Sequence, residues 1–145
     1  MRTFAILKPD AIQRGLVGEI INRIERKGFE IMRMELRAKT AEWCRRHYSQ
    51  FDPAVTKDRE IYERLQRAMI YKPLIGILLE GDIDHGIRTL RNLVGATNSM
   101  EAAPGTIRGD FGTLPIHLNL IHASASVEAV QREVALFFND DTDWN

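Results

Sequence analysis

The chain has 145 residues, 44% hydrophobic and 28% charged, the proportions of one soluble globular domain spanning residues 1–145. Lys and Arg together number 20, as do Asp and Glu, so the formal net charge is zero; this excludes the basic surface of a general nucleic-acid binder and sets no self-repulsion against oligomers. The lone cysteine, Cys44, excludes an internal disulfide, and with no signal peptide and no run near the roughly 18–20 apolar residues of a membrane helix, a cytoplasmic protein is expected.

Thr3 to Leu7 is a compact apolar run stopped by Lys8-Pro9-Asp10, and it reads as a buried strand. Val17, Ile20, Ile21 and Ile24 follow at helical spacing, and Gly28 closes that helix. A second strand is expected from Phe29 to Leu36, with Met32 and Met34 read as core residues alternating with charged ones. Thr40 is a suitable N-cap for a short helix through Tyr48. Residues 49–57 read as a loop, and Asp58 to Met69 as a helix with Ile61, Leu65 and Ala68 or Met69 facing inward.

Leu74 to Leu79 is nearly all apolar, which predicts a central strand, and Asp84 to Val94 is a helix ended by Gly95. Residues 95–117 are rich in glycine and proline with little periodicity; so long a stretch in a compact domain points to function. Leu118 to Ile121 reads as the fourth strand, Val127, Val130, Val134 and Phe137 mark a last helix, and Asn139 to Asn145 form a polar tail. The order suits an α+β, ferredoxin-like α/β sandwich, a four-stranded antiparallel sheet with helices packed on it.

Three segments put polar groups where buried elements end: Lys8-Pro9-Asp10; the stretch from Arg88 to Gly112 with Arg91, Thr97, Arg108 and Asp110; and Asn119 to Ser126 around His122. Cationic forks that hold phosphate oxygens, beside an imidazole that attacks in line, are what phosphoryl transfer requires. Histidine suits the task because near neutral pH it keeps a free lone pair. Taken singly, each of these residues has a plainer reading as a surface charge or a structural group; the joint pattern carries the case. His47, His85 and His117 are read as structural or solvent-facing, and Cys44 as an inert thiol. Neither Gly-x-x-x-x-Gly-Lys-Ser/Thr nor Gly-x-Gly-x-x-Gly occurs, so side chains rather than a glycine cradle would hold any nucleotide's phosphates.

Four blocks together resemble the nucleoside diphosphate kinases: Lys8-Pro9-Asp10 through Arg14-Gly15 to Gly18, Gly95-Ala-Thr97-Asn98, Glu101 through Arg108 to Phe111, and Asn119-Leu-Ile-His122-Ala-Ser124. The match runs in order from about residue 3 to Phe138. The resemblance implies a ping-pong reaction in which His122 takes the γ-phosphate of a triphosphate such as ATP and passes it to a different nucleoside diphosphate. It implies that Lys8 contacts the transferring phosphate and the sugar, that Arg91, Thr97 and Arg108 hold phosphates, and that Asn119 reaches the sugar 3′-hydroxyl. Tyr48, Ser124 and Glu133 match the groups around the active histidine, and Tyr62 takes the place of the aromatic on which the base stacks. Glu133 also borders the apolar stripe of the last helix, where a carboxylate wants a partner such as an imidazole nitrogen.

By the same resemblance Mg2+ rides on the phosphates with water as its remaining ligands, without a protein cage. The chain is expected to self-associate, as a hexamer or tetramer, and to need neither a membrane nor a specific nucleic acid. Departures from the family pattern are Ala125 in place of an aspartate, Ser99 in place of a proline, and longer segments at 49–60 and 112–118. The rival readings are a non-catalytic nucleotide-binding protein, which has no need to keep His122, Lys8, Arg91 and Arg108 together, and a nucleic-acid module, which the charge balance disfavours.

Overall fold

A computed structural model describes residues 1–48, 59–81 and 84–139. The elements are β1 (Arg2–Leu7), α1 (Pro9–Gln13), α2 (Val17–Arg26), β2 (Glu30–Ala38), α3 (Ala41–His47), α4 (Arg59–Met69), β3 (Pro73–Glu80), α5 (Gly86–Val94), α6 (Ile107–Phe111), β4 (Ile121–Ala123) and α7 (Val127–Phe138). The four strands form one antiparallel sheet in the order β2-β3-β1-β4. With helices on the sheet this is the expected ferredoxin-like α+β fold. Among the described residues no helix is long and apolar enough to cross a membrane.

Alternation along the strands divides the core in two. Ala5, Leu7, Ile75, Ile77, Leu79, Ile121 and Ala123 point to one face, where Ile20 and Ile24 of α2 and Leu90 and Val94 of α5 cover them. Phe4, Ile6 and Leu74 point to the other, where they meet Trp43 and Cys44 of α3, Met69 of α4 and Val130, Leu136 and Phe137 of α7. β1 and β3 are buried on both sides, which explains why their sequences are nearly unbroken apolar runs. Thr40 does cap α3, its side chain accepting from the Trp43 amide, and Gly95 ends α5 with φ 92°.

Several expectations are corrected. Pro9, expected only to stop the first strand, begins the short helix α1 at the position where its missing N–H costs nothing. Residues 107–111, expected to be irregular, form α6, capped by the Thr106 hydroxyl on the Gly109 amide. The fourth strand is Ile121–Ala123, not 118–121, because Leu120 has φ 73° and cannot lie in a β ladder. Met32 and Met34 are not core: they are 44% and 47% exposed, and Leu36 is 63% exposed. β2 is an edge strand, and its Met34 and Leu36 pair with Ile77 and Ile75 on the α2 face but lie beyond the helices that cover those partners. The loop at 49–57, the tail beyond Asn139 and the side chains of Ile61, Tyr62 and Leu65 lie outside the described residues.

Helix α7 can approach the sheet only because β3 carries a glycine where the Phe137 ring lies. A Cβ at Gly76 would stand 2.4 Å from that ring. Gly76→Ala is therefore expected to lower stability by about 1–3 kcal/mol, the range for overpacking. In a Phe137→Leu background the same change should cost less, because the ring is gone. Urea unfolding of the two single variants and the double variant measures the coupling, and additive costs would remove the contact as the cause.

Candidate active site

The site forms where β1 ends and β4 begins. Ile6 lies opposite His122 in the sheet register, and the Ser124 amide donates to the Phe4 carbonyl. His122 and Ser124 therefore share the face of Phe4 and Ile6, the face that α3 and α7 cover. Strict alternation would put Leu120 on that face as well. Its left-handed backbone turns it instead into the opposite core beside Ile121, where it is fully buried. The strained residue is tied from both sides: its amide donates to Asp10 Oδ2 at 3.1 Å, and its carbonyl accepts from the Lys8 amide at 2.8 Å.

Asn119, immediately before this turn, links two other segments. Its Oδ1 accepts from Lys8 Nζ at 2.8 Å, and its Nδ2 donates to the Thr97 carbonyl at 3.0 Å. Lys8 Nζ also donates to the His117 carbonyl at 2.8 Å. The lysine is 3% exposed, and that burial lowers its pKa to about 8, with Asp10 opposing the shift and Arg108 adding to it. Arg108, from α6, is also buried. It donates from Nε to the Asn119 carbonyl at 3.1 Å, from Nη1 to the Gly95 carbonyl at 3.1 Å and from Nη2 to the Ile121 carbonyl. Three carbonyls leave two of the guanidinium's five N–H groups for a ligand. Burial and the neighbouring Arg91 lower its pKa to about 10. Arg91, exposed on α5, reaches the Ala123 carbonyl from Nη1 at 3.4 Å.

On the other side of the nucleophile candidate stands Glu133 of α7. Its side chain is 1% exposed and that of His122 19%. Glu133 Oε2 lies 2.9 Å from His122 Nε2 and also accepts from the Ser124 hydroxyl. Burial works against the charge on this carboxylate, but the hydrogen bond and charge of His122, with the Ser124 hydrogen bond, hold its pKa below the ordinary value. An ionised carboxylate only accepts, so the proton between the two groups sits on Nε2. The lone pair of His122 is then on Nδ1.

Lys8, Arg91, Thr97, Arg108, Asn119, His122, Ser124 and Glu133 are thus brought into one connected set. Tyr48, the C-cap of α3, packs on the ring of His47 at 4.7 Å and directs its hydroxyl to Met69 Sδ at 2.6 Å. It reaches His122 by way of His47, whose ring is 4.9 Å from that of His122. Tyr62 lies on α4, and its side chain is outside the described residues. His47, expected to be structural or solvent-facing, is buried against His122; that contact and the brace formed by Asp10 were not foreseen from the sequence. The available signal for His47 was its place one helical turn after Trp43, on the inward face of α3. Cys44 is buried and its thiol is pushed up to about 12, in line with the inert role expected for it.

A family model for nucleoside diphosphate kinase matches residues 1–142. A nucleoside diphosphate kinase from Archaeoglobus fulgidus is 44% identical over 140 residues, covering 97% of this chain and 87% of the relative. The structure of a halophilic nucleoside diphosphate kinase from Halobacterium salinarum in complex with CDP matches with a TM-score of 0.85 at 37% identity, over 100% of this chain and 91% of that one. A transition-state mimic of the enzyme from Borrelia burgdorferi with bound vanadate and ADP matches with a TM-score of 0.87 at 30% identity, over 100% and 90%.

The depressed lysine has a measurable consequence for folding. Its pKa is about 8 in the folded chain against 10.5 in the ordinary, unfolded environment. Below about pH 8 both states hold the proton and the folded state bears the full cost of the buried ammonium. As pH rises above that value the unfolded chain binds more protons, so the penalty shrinks. Relative to Lys8→Met, the wild type should gain about 2 kcal/mol between pH 7 and 9.5, at 1.36 kcal/mol per unit. Urea unfolding of both proteins across this range checks it; a constant difference would show that Lys8 holds its proton throughout.

Proposed function

The chain belongs to the nucleoside diphosphate kinase family, and we propose that it moves the γ-phosphate of a nucleoside triphosphate to a nucleoside diphosphate through a phosphohistidine on His122, in two half-reactions that maintain NTP and dNTP pools. As an enzyme of this family it is a phosphotransferase. The observation that supports His122 as the carrier is the occupied Nε2: with Glu133 holding that nitrogen at 2.9 Å, Nδ1 is left with the lone pair, on a side chain that is 19% exposed.

In the first half-reaction Nδ1 forms a bond to the γ-phosphorus as the bond from phosphorus to the bridging oxygen breaks. The diphosphate leaves with the bonding electron pair. The His122 ring, still protonated at Nε2, gains a positive charge that the Glu133 carboxylate faces. The second half-reaction reverses these steps with a different diphosphate as acceptor. Lys8, Arg91 and the two unspent N–H groups of Arg108 neutralise charge on the transferring group, which in a loose transition state is most of what a protein can supply. Thr97 takes part in holding the phosphates. In this reading Asn119, held by Lys8 and Thr97, takes the sugar hydroxyl, and Tyr62 is proposed as the aromatic on which the base stacks. Stacking accepts any base, so broad base specificity follows.

The donors around His122 are ammonium, guanidinium and amide groups rather than a ring of carboxylates, which suits a Mg2+ ion that arrives on the phosphates and keeps water as its other ligands. That ion supplies charge neutralisation on the phosphate oxygens. The cytoplasm is the proposed location, resting on the single, buried thiol of Cys44.

Self-association completes the reading. β2 is an edge strand of nine residues whose Met32, Met34 and Leu36 are exposed in the isolated chain, and such an edge favours pairing with another copy. Replacing Met34 and Leu36 together by aspartate should reduce the assembly to the monomer mass of 16.6 kDa in light scattering. An unchanged mass would place the contact elsewhere.

The chemistry itself is tested at His122. Incubation of the wild type with γ-labelled triphosphate should leave an acid-labile, base-stable phosphate on the protein. His122→Ala should take up none and lose transfer by at least about 10⁴-fold, while still binding nucleotide. Label on the alanine variant, or none on the wild type, would falsify the mechanism.

A further inference from the structure

His47 is fully enclosed, at 1% exposure. Its ring is stacked on Trp43 with centroids 4.9 Å apart and planes at 7°. It meets the His122 ring nearly at right angles, 4.9 Å away at 80°, and Tyr48 in the same manner at 4.7 Å. Trp43 is itself tied down, its Nε1 donating to the Leu136 carbonyl of α7 at 3.0 Å. The stack therefore runs from α7 through α3 to the nucleophile.

An imidazole in this slot carries a cost. Among the described residues neither Nδ1 nor Nε2 of His47 has a hydrogen-bond partner, and buried unpaired polar groups are destabilising. What the ring supplies is an aromatic surface against His122, and a surface without charge. Burial lowers the His47 pKa to about 3, and His122 beside it pushes in the same direction.

We propose that His47 is a positioning residue, an uncharged aromatic wall that fixes the plane of the His122 ring and accommodates the positive charge this ring gains when Nδ1 is phosphorylated. The inference rests on His122 being the phosphate carrier. Glu133 holds one nitrogen of His122 but leaves the ring free to swing about that hydrogen bond. The wall at 80° blocks the swing and keeps Nδ1 in one orientation. Once the ring is phosphorylated and still protonated at Nε2, it is cationic. A neutral aromatic neighbour tolerates such a charge, whereas a second imidazolium would oppose it.

The role is one of shape and charge, so it transfers to a ring without nitrogens. Single-turnover phosphorylation by a labelled triphosphate, with nucleotide affinity measured separately, should find His47→Phe within about threefold of wild type. That variant should also unfold at higher urea, having lost two unpaired buried nitrogens. His47→Leu should bind nucleotide as the wild type does but become phosphorylated at least about tenfold more slowly. Should leucine fail to fold, His47→Met takes its place with the same expectation. Phosphorylation of the leucine or methionine variant at the wild-type rate overturns the proposal, and so does a phenylalanine variant as slow as either. A wild type that takes up no phosphate would instead sink the reading of His122, which separates the two failures.

Discussion

The site depends on one buried carboxylate. Glu133 projects from α7 into the packed face of the sheet, where an isolated charge would be costly. It stays ionised because His122 Nε2 and the Ser124 hydroxyl both converge on Oε2. The same contact that makes the charge tolerable chooses the tautomer of His122, and the tautomer decides which nitrogen keeps the lone pair. Stability of the helix packing and the position of that lone pair are therefore two results of one interaction. Removing the carboxylate would leave the ring without a fixed proton, and moving α7 would do the same.

A second constraint acts on the backbone. β4 is only three residues long because Leu120 adopts a conformation that costs an L-residue about 1–2 kcal/mol. The surroundings over-determine it: Asp10 holds its amide, the Lys8 amide holds its carbonyl, and the Arg108 guanidinium holds the carbonyls on either side of it. In return, Leu120 fills the α5-side core while Asn119 turns toward Lys8 and His122 keeps the opposite face. One strained residue thus separates a core position from two functional ones across four consecutive positions. Arg108 braces this turn with part of its fork and, under the proposed function, offers the remaining N–H groups to phosphate.

These two features explain which parts of the structure were legible in the sequence. Period and punctuation sufficed for β1, β3, α2, α5 and α7, where apolar spacing and flanking glycine or proline leave little choice. Glu133 could be singled out because a carboxylate bordering an apolar stripe demands a partner. The fourth strand was displaced by three residues at its start, since no local pattern announces that Leu120, an ordinary apolar residue, will take a left-handed conformation. Met32 and Met34 looked like core because alternation shows which residues share a face, not whether that face is covered; strand order decides that. His47 was set aside for a related reason. Its neighbours in sequence identify an inward helical position, and only the docking of α3 beside β4 makes that position the wall of His122. The roles expected of Lys8, Arg91, Thr97 and Asn119 came from the family resemblance, since single residues at element ends could not suggest them.

The balance of charge around His122 unites the site. The chain as a whole is neutral, yet Lys8, Arg91 and Arg108 converge within a partly desolvated edge, and the buried Lys8 and Arg108 are pushed down from their ordinary pKa values, chiefly by burial. Cations held in this state are poorly solvated and, among the described residues, unpaired by any carboxylate at hydrogen-bond distance, Asp10 being turned to the Leu120 amide. They are consequently prepared to interact with an incoming anion more strongly than exposed lysines could, because little water must be displaced at the moment of contact. Against the same imidazole Glu133 supplies the one buried negative charge among the described residues, and His47 supplies none. His122 thus has a carboxylate on Nε2, while Lys8, Arg108 and Arg91 are bound to groups of the neighbouring residues Asn119, Ile121 and Ala123. For the phosphate carrier proposed above, this arrangement meets both needs: attraction strong enough to load the nitrogen, and a charged partner that keeps the loaded ring in register for return.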